Sequence, residues 1–342
     1  MLHDPLNSPV DNNIRFIDLF CGIGGFHIAA VNASKHHGLV ANCVYASDID
    51  TDAQDAYEAN FGIRPDGDIT KVNEKDIPDH DLLFGGFPCQ AFSIIGNRRG
   101  FDDTRGTLFF DIARIIREKR PSAFVLENVK QLRNHNGGQT LSVIMATLKE
   151  LGYSVDCRVL NALDFGVPQK RERIIFVGFR EPRQFEWPKG EVPIPLLSDV
   201  LLPDDNVDPF YWASDRIRNQ RIAQREGKVN PAGITIWHEN KGGNVSANLF
   251  SCAMRAGASY NYLLVNGVRR LTEREMLRLQ GFPDSYQIVC DYGATRKQAG
   301  NSVAVPCIQA VIESVLHAIK KPCLTYCPFA IPDIKQLVIP SL

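Results

Sequence analysis

Through its first 180 or so residues the chain alternates short apolar runs with stretches whose apolar residues recur every three to four positions. Residues 14–20 read as a strand, the turn Cys-Gly-Ile-Gly-Gly at 21–25 follows at once, and an apolar helical stretch begins at Phe26. Residues 42–48 form a second strand-like run and 50–60 a helix. Residues 82–84 suit a buried strand, and 107–119 a helix with Leu108, Phe109, Ile112, Ile115 and Ile116 on one face. Residues 122–128 read as a strand, 139–150 as a helix, and 154–160 and 173–179 as strands. This alternation predicts an α/β fold with a doubly wound, mostly parallel sheet. Ligands of such sheets sit beyond the carboxyl ends of the strands, where Phe20, Asp48, Cys89 and Glu127 all fall.

The pattern changes after Arg183. From there to Gly267 clusters of proline, glycine and asparagine carry only short alternating pieces, such as 233–237 and 260–265, which predicts a smaller, irregular, β-containing domain. Helical order returns at Leu271, where Thr272 with Glu275 makes a capping box and Leu271 with Met276 the matching staple; the helix should stop near Gly281. Val305, Ile308, Val311, Ile312, Val315, Leu316 and Ile319 form a helical stripe expected to pack back on the large domain. The expected divisions are therefore 1–182, 183–283, a return at 284–320 and an unplaced tail at 321–342.

Composition adds little to the fold but bounds the chemistry. The 342 residues, 44% hydrophobic, suffice for a large domain plus a small one. Net charge is -1, but residues 1–80 hold five Lys/Arg against thirteen Asp/Glu, whereas 211–280 hold eleven against five. Any polyanion is thus expected at the later segment, whose arginines 216, 218, 221, 225, 255, 269 and 270 suit phosphate contact. Nine cysteines without a repeated CxxC spacing argue against a disulfide framework or a zinc site, so no metal is expected and the thiols read as reduced. The sequence shows neither an export segment nor an apolar run long enough to span a membrane, and a cytoplasmic protein is expected.

Two stretches carry candidate chemistry. Glycines between strand and helix let backbone amides approach a ligand, and Asp48, ending the next strand, stands where an acid can bind ribose hydroxyls. That pair fits NAD and S-adenosylmethionine equally. The second stretch runs Asp-Leu-Leu-Phe-Gly-Gly-Phe-Pro-Cys-Gln-Ala-Phe-Ser from Asp81 to Ser93 and brings one cysteine, Cys89, to a sheet edge. A thiol there is either a packed core residue or a nucleophile.

Taken with residues 16–25 and 85–93, the segments Glu127-Asn128-Val129, Gln169 to Arg173, Arg270 to Asp284 and Gly300 to Pro306 complete a set of six. Together they resemble the DNA cytosine-5 methyltransferases of bacterial restriction-modification systems, in the family's motif order and over nearly the whole chain. The resemblance implies a Rossmann-like catalytic and cofactor-binding domain at 1–182, a target-recognition domain at 183–283, and S-adenosyl-L-methionine as cofactor. It implies duplex DNA as partner, a monomeric enzyme, and room for a cognate restriction endonuclease.

By the same resemblance Cys89 is the nucleophile at carbon 6 of cytosine, Glu127 bonds N3 and the exocyclic amine, Arg173 holds the ring oxygen and Arg171 supports it. Glu127 must then deliver or share a proton. Phe20 stacks near the adenine, and Gly22, Gly24 and Gly25 line the turn beside the methionine part. Asp48 and Ile49 meet the adenosine, Asp68 and Ile69 the adenine, and Pro88 and Asn301 complete the cofactor site. Asp48 stands where the family usually has Glu, and Ile49 where tryptophan is commoner, which implies looser cofactor binding. Ile95, Arg98 and Arg99 resemble the family's closing loop, with Ile95 as an apolar wedge beside a flipped base; Arg255 and Arg270 are further DNA contacts. The alternatives are a relative that methylates tRNA and a catalytically silent DNA-binding relative, although the latter has no need of Cys89, Glu127 and Arg173 together.

Overall fold

The computed structural model describes residues 12–88 and 108–321. Cys89, Ile95, Arg98 and Arg99 lie outside the described residues, as does nearly all of the 321–342 tail. The large sheet is built from β1 (Asn13–Leu19), β2 (Val40–Ser47), β3 (Leu82–Gly86), β4 (Ala123–Val129), β5 (Ser154–Asn161) and β7 (Glu172–Phe179), in the order β2-β1-β3-β4-β7-β5. A two-residue strand, β6 (Gln169–Lys170), precedes β7. Between them run α1 (Gly25–His36), α2 (Thr51–Phe61), α3 (Leu108–Lys119) and α4 (Gln139–Glu150).

Strand β1 shows why helices cover both faces. Ile14 and Phe16 point into a cluster with Phe26, Ala29 and Ala33 of α1, while Ile17 and Leu19 point into another with Phe109 and Ile112 of α3 and Ile144 of α4. Period-two alternation on a strand apolar on both sides demands two cores. Strands β1 to β4 pair in parallel as expected, but β7 runs antiparallel to both β4 and β5. Its beginning, not its end, therefore meets the carboxyl ends of the others, and this brings Arg173 to the functional edge.

The rest of the chain contains α5 (Leu197–Val200), α6 (Asp215–Arg225), β8 (Ile236–Glu239), β9 (Val245–Asn248), β10 (Ser251–Cys252) and β11 (Leu263–Val265). Strands β11, β8 and β9 form a small antiparallel sheet, and β10 pairs in parallel with β6. The capping box forms at α7 (Glu273–Arg278): Thr272 Oγ1 accepts the Glu275 amide at 3.2 Å, and Glu275 Oε2 accepts the Thr272 amide at 2.8 Å. Helix α8 (Tyr292–Asn301) follows, then α9 (Val305–Lys320), whose predicted stripe is buried against α1. Residues 292–320 are long and apolar enough by composition to cross a membrane, but they form two helices and most of that surface is buried within the fold.

Helix α1 also carries a half-buried histidine. The Nδ1 of His27 lies 2.8 Å from the Tyr57 hydroxyl, and its ring stacks on Phe61 with centroids 4.0 Å apart. Burial lowers its pKa to about 4. Because the unfolded histidine takes up a proton near pH 6.5 and the folded one resists until about pH 4, this group's stabilisation is present at neutral pH and is lost on acidification through that window. The difference is worth up to about 3 kcal/mol. Urea unfolding at pH 7 and pH 4.5 should therefore show a smaller acid loss for His27→Gln than for the unaltered chain; equal losses would remove His27 as a source of acid sensitivity.

Candidate active site

One cavity of about 570 Å³ opens at the carboxyl edge of the large sheet, within the range of small-molecule sites. The β1 end supplies Phe20 and Gly22, the β2 end Asp48 and Ile49, and the segment after α2 Asp68 and Ile69. Pro88, the last described residue before Cys89, is on the wall, as are Glu127, Arg171, Arg173, Arg255 and Asn301. Residues nearly 300 positions apart in sequence thus meet at one edge.

The turn after β1 is shaped for close approach. Phe20 takes a left-handed φ of 55°, Gly22 has φ 51°, and a Cβ at Gly22 would touch nothing within 4 Å, so bare backbone faces the cavity. Gly25 lines the cavity too, but Gly24 does not. Gly24 caps α1 with φ 80°, and a Cβ there would strike the Phe61 ring. The expectation of a ligand contact is corrected at this position: Gly24 is glycine because its conformation and the packing of Phe61 require it.

Asp48 is pinned by backbone. Its Oδ2 accepts the Gly22 amide at 2.7 Å and its Oδ1 the Asp50 amide at 2.9 Å, so the shorter acid ties the end of β2 to the glycine turn. Burial raises its pKa, partly offset by these two amide bonds. Each oxygen keeps acceptor capacity for a hydroxyl. Asp68 is more open; its Oδ1 accepts both the hydroxyl and the amide of Thr70, at 2.7 and 3.1 Å, and its pKa is lowered by those bonds. Ile49 is 73% exposed, an apolar side chain without cover beside the cavity. Behind the turn, Cys21 is buried and burial raises its pKa, which agrees with packing, not nucleophilicity.

Strands β4 and β7 supply a second group of cavity residues. Glu127 lies within β4, two residues before its end, and Arg173 lies near the start of the antiparallel β7. Arg173 Nε and Glu127 Oε1 are 2.7 Å apart in a pair that is mostly shielded from solvent. Asn128 is buried and donates from Nδ2 to the Phe87 carbonyl at 2.9 Å, fixing the end of β3 just before Pro88 and Cys89. The sequence had offered Asn128 only as part of a motif; this bond gives it a positioning role.

Arg171 is brought to the same cavity but faces away from an acid. Fully buried, it donates from Nη1 to the Met254 carbonyl at 3.1 Å and from Nη2 to the carbonyls of Gly300 and Ser302 at 3.0 and 2.5 Å. Burial lowers its pKa, while three carbonyl dipoles favour the charged form. Gln169 was not assigned a role by sequence, although it stands two residues before Arg171, the spacing of one strand face. It is fully buried, donates to the Leu279 carbonyl at 2.7 Å and accepts the Met254 amide at 3.0 Å.

The basic segment needs correction as well. Arg221 and Arg269, expected among phosphate contacts, are buried in ion pairs: Arg221 with Glu239, and Arg269 with Glu275 at 3.0 Å and Asp204 at 2.6 Å. A buried charge needs its partner, and these partners are internal. Arg270 is half-buried, its guanidinium over the Phe210 and Tyr292 rings and donating to the Phe210 carbonyl. Arg255 is exposed at the cavity mouth over the Tyr262 ring, 4.9 Å from its centroid, and Arg216 is exposed on α6. Trp237 is buried and donates to Thr235 Oγ1 at 3.1 Å, which makes it core.

Known proteins resemble this chain along nearly its whole length. The C-5 cytosine-specific DNA methylase family matches residues 14–317. The Type II methyltransferase M.NgoBI of Neisseria gonorrhoeae is 53% identical over 86% of this chain and 91% of its own, and M.HaeII of Haemophilus aegyptius is 50% identical over 89% and 93%. A solved methyltransferase of Entamoeba histolytica shares the fold at a TM-score of 0.70, with 17% identity over 90% of this chain and 99% of that one. With its cavity, its Glu127–Arg173 pair and this match along nearly its whole length, the chain belongs to the C-5 cytosine-specific DNA methylases and is a DNA cytosine methyltransferase.

Proposed function

We propose that the chain methylates carbon 5 of one cytosine in a specific duplex DNA sequence, with the base flipped out of the helix and bonded transiently to Cys89. The observation that carries this reading is the Glu127–Arg173 pair, 2.7 Å apart, on the wall of the cavity that also holds Asp48 and Asn301. A carboxyl beside a guanidinium matches the edge of cytosine: Glu127 meets N3 and the exocyclic amine, and Arg173 the ring oxygen. Pro88, the last described residue before Cys89, lines the same wall, which supports assigning Cys89 to this site.

The chemistry follows from what cytosine lacks. Carbon 5 is a poor nucleophile, so the Cys89 thiolate adds to carbon 6, and the electron pair of the 5,6 double bond is released toward carbon 5. Glu127 holds the proton at N3 that makes this addition feasible, and Arg173 steadies the oxygen. After methylation the carbon 5 proton leaves, the double bond re-forms and the thiolate departs. The base must leave the stack to be reached, at a cost of a few kcal/mol.

S-adenosyl-L-methionine supplies an electrophilic methyl group on a sulfonium sulfur. The residues present fit it: bare backbone at Gly22 allows close approach, and the two Asp48 oxygens each retain acceptor capacity for a ribose hydroxyl. Phe20, Ile49 and Ile69 give apolar walls for the adenine, Asp68 an acceptor for its amine, and Pro88 and Asn301 close the site. Residues 183–283 would choose the sequence, with Arg255, Arg98 and Arg99 on phosphates and Ile95 in the vacated space. A monomer suffices, because every assigned group comes from one chain; the Type II names of the relatives extend the proposal to a cytoplasmic partner endonuclease.

Bisulfite sequencing of DNA from cells expressing the chain tests the reading. One short sequence context methylated at every copy is expected. Absence of methylcytosine in DNA, with label from the cofactor entering structured tRNA supplied alongside duplex DNA, would contradict it.

A further inference from the structure

Two buried side chains at the active edge, Gln169 and Arg171, join two segments across it. Gln169 of β6 and Arg171, just after it, are both buried, and between them they hold both backbone groups of Met254: Gln169 accepts its N–H and Arg171 donates to its C=O. The other arm of Arg171 holds the carbonyls of Gly300 and Ser302, which flank Asn301. The two segments also touch directly, since a Cβ at Gly300 would come within 2.5 Å of the Ala256 amide nitrogen and 2.8 Å of the Arg255 carbonyl carbon. Met254 leads straight into Arg255 at the cavity mouth, and β10 beside it is paired to β6.

We infer that Arg171 is a positioning residue that couples target binding to cofactor binding, by making the place of Met254 and Arg255 depend on the place of Asn301. The inference rests on the function proposed above. Its physical basis is that a buried guanidinium without a carboxylate on it is tolerated only while carbonyl acceptors surround it. Displacing either segment leaves a buried charge under-bonded, so each segment is stabilised by the other's correct placement. DNA that fixes Arg255 therefore fixes Ser302 and Asn301, and a cofactor that fixes Asn301 returns the effect; such coupling is reciprocal. A lysine cannot reproduce it, because its single ammonium lacks the planar fork that spans the two sides.

The test measures binding of S-adenosyl-L-homocysteine calorimetrically, with and without a duplex carrying the methylated sequence found by bisulfite sequencing. The unaltered protein should bind it about tenfold more tightly with duplex present, equal to ~1.4 kcal/mol of coupling. Arg171→Lys should reduce that ratio to within about twofold, whatever happens to its melting temperature. A merely structural role would weaken both affinities and leave their ratio alone, and an unchanged ratio in Arg171→Lys overturns the inference. Should Arg171→Lys fail to fold, Gln169→Met, which frees the Met254 amide and the Leu279 carbonyl while leaving the Arg171 bonds to Gly300 and Ser302 in place, must lower the ratio; no change there overturns it equally. A protein that methylates DNA but shows no coupling overturns the inference and leaves the function standing, whereas one that binds neither duplex nor cofactor overturns the function.

Discussion

Cys89→Ala should abolish methyl transfer while duplex binding persists. The thiolate has no substitute among the described residues of this site: Cys21, the cysteine on the cavity wall, is buried with its pKa raised by burial. Without an adduct at carbon 6, carbon 5 stays a poor nucleophile, and the loss should reach roughly 10⁴-fold or more in turnover, at least ~5 kcal/mol of transition-state stabilisation. Phosphate and base contacts are made by other groups, so a gel-shift titration should give a dissociation constant within a few-fold of the unaltered protein. Transfer at the normal rate from the alanine variant would remove Cys89 from the mechanism.

Glu127→Gln should be the next most damaging change. The amide keeps the shape and can still hydrogen-bond N3, but it cannot deliver a proton, and a loss of about 10²- to 10⁴-fold in turnover is expected. The substitution also gives Arg173, at 19% side-chain exposure, a neutral partner in place of the carboxylate 2.7 Å away. Breaking one half of a buried pair costs about 3–5 kcal/mol, and this more open pair should cost less. Single-turnover assays separate the two consequences, because a stability defect lowers the active fraction and a proton-transfer defect lowers the rate constant of the fraction that binds. A normal single-turnover rate would show that Glu127 only braces Arg173.

The sequence carried the architecture where local pattern dictates it. The strands of the large sheet, the Thr272–Glu275 box and the α9 stripe all stand close to their expected places, because alternation, capping chemistry and helical periodicity are local signals. The direction of β7 was not legible, since a strand's apolar pattern reads alike in either direction. Helix α8 was missed because its run of glycine, threonine, lysine and glutamine has little apolar periodicity. The candidate site was found through motifs, and the cavity gathers most of its residues, yet charge alone misled at Arg221 and Arg269. Their partners, Glu239 and Glu275, are set by the fold. The carbonyl clamp of Arg171 was likewise hidden, because its acceptors are backbone atoms 83 to 131 positions away.

The central claim is that cytosine is methylated through a bond to Cys89, and a trapping experiment tests it most directly. Genomic DNA amplified with 5-fluorodeoxycytidine triphosphate in place of the normal nucleotide presents every sequence context with a carbon 5 that has no proton to lose. Incubated with it and S-adenosyl-L-methionine, the protein should form a complex that survives denaturing electrophoresis, and peptide mass mapping after nuclease digestion should place the adduct on Cys89. Methylation of ordinary DNA without any trapped complex, or an adduct on another residue, would contradict the account.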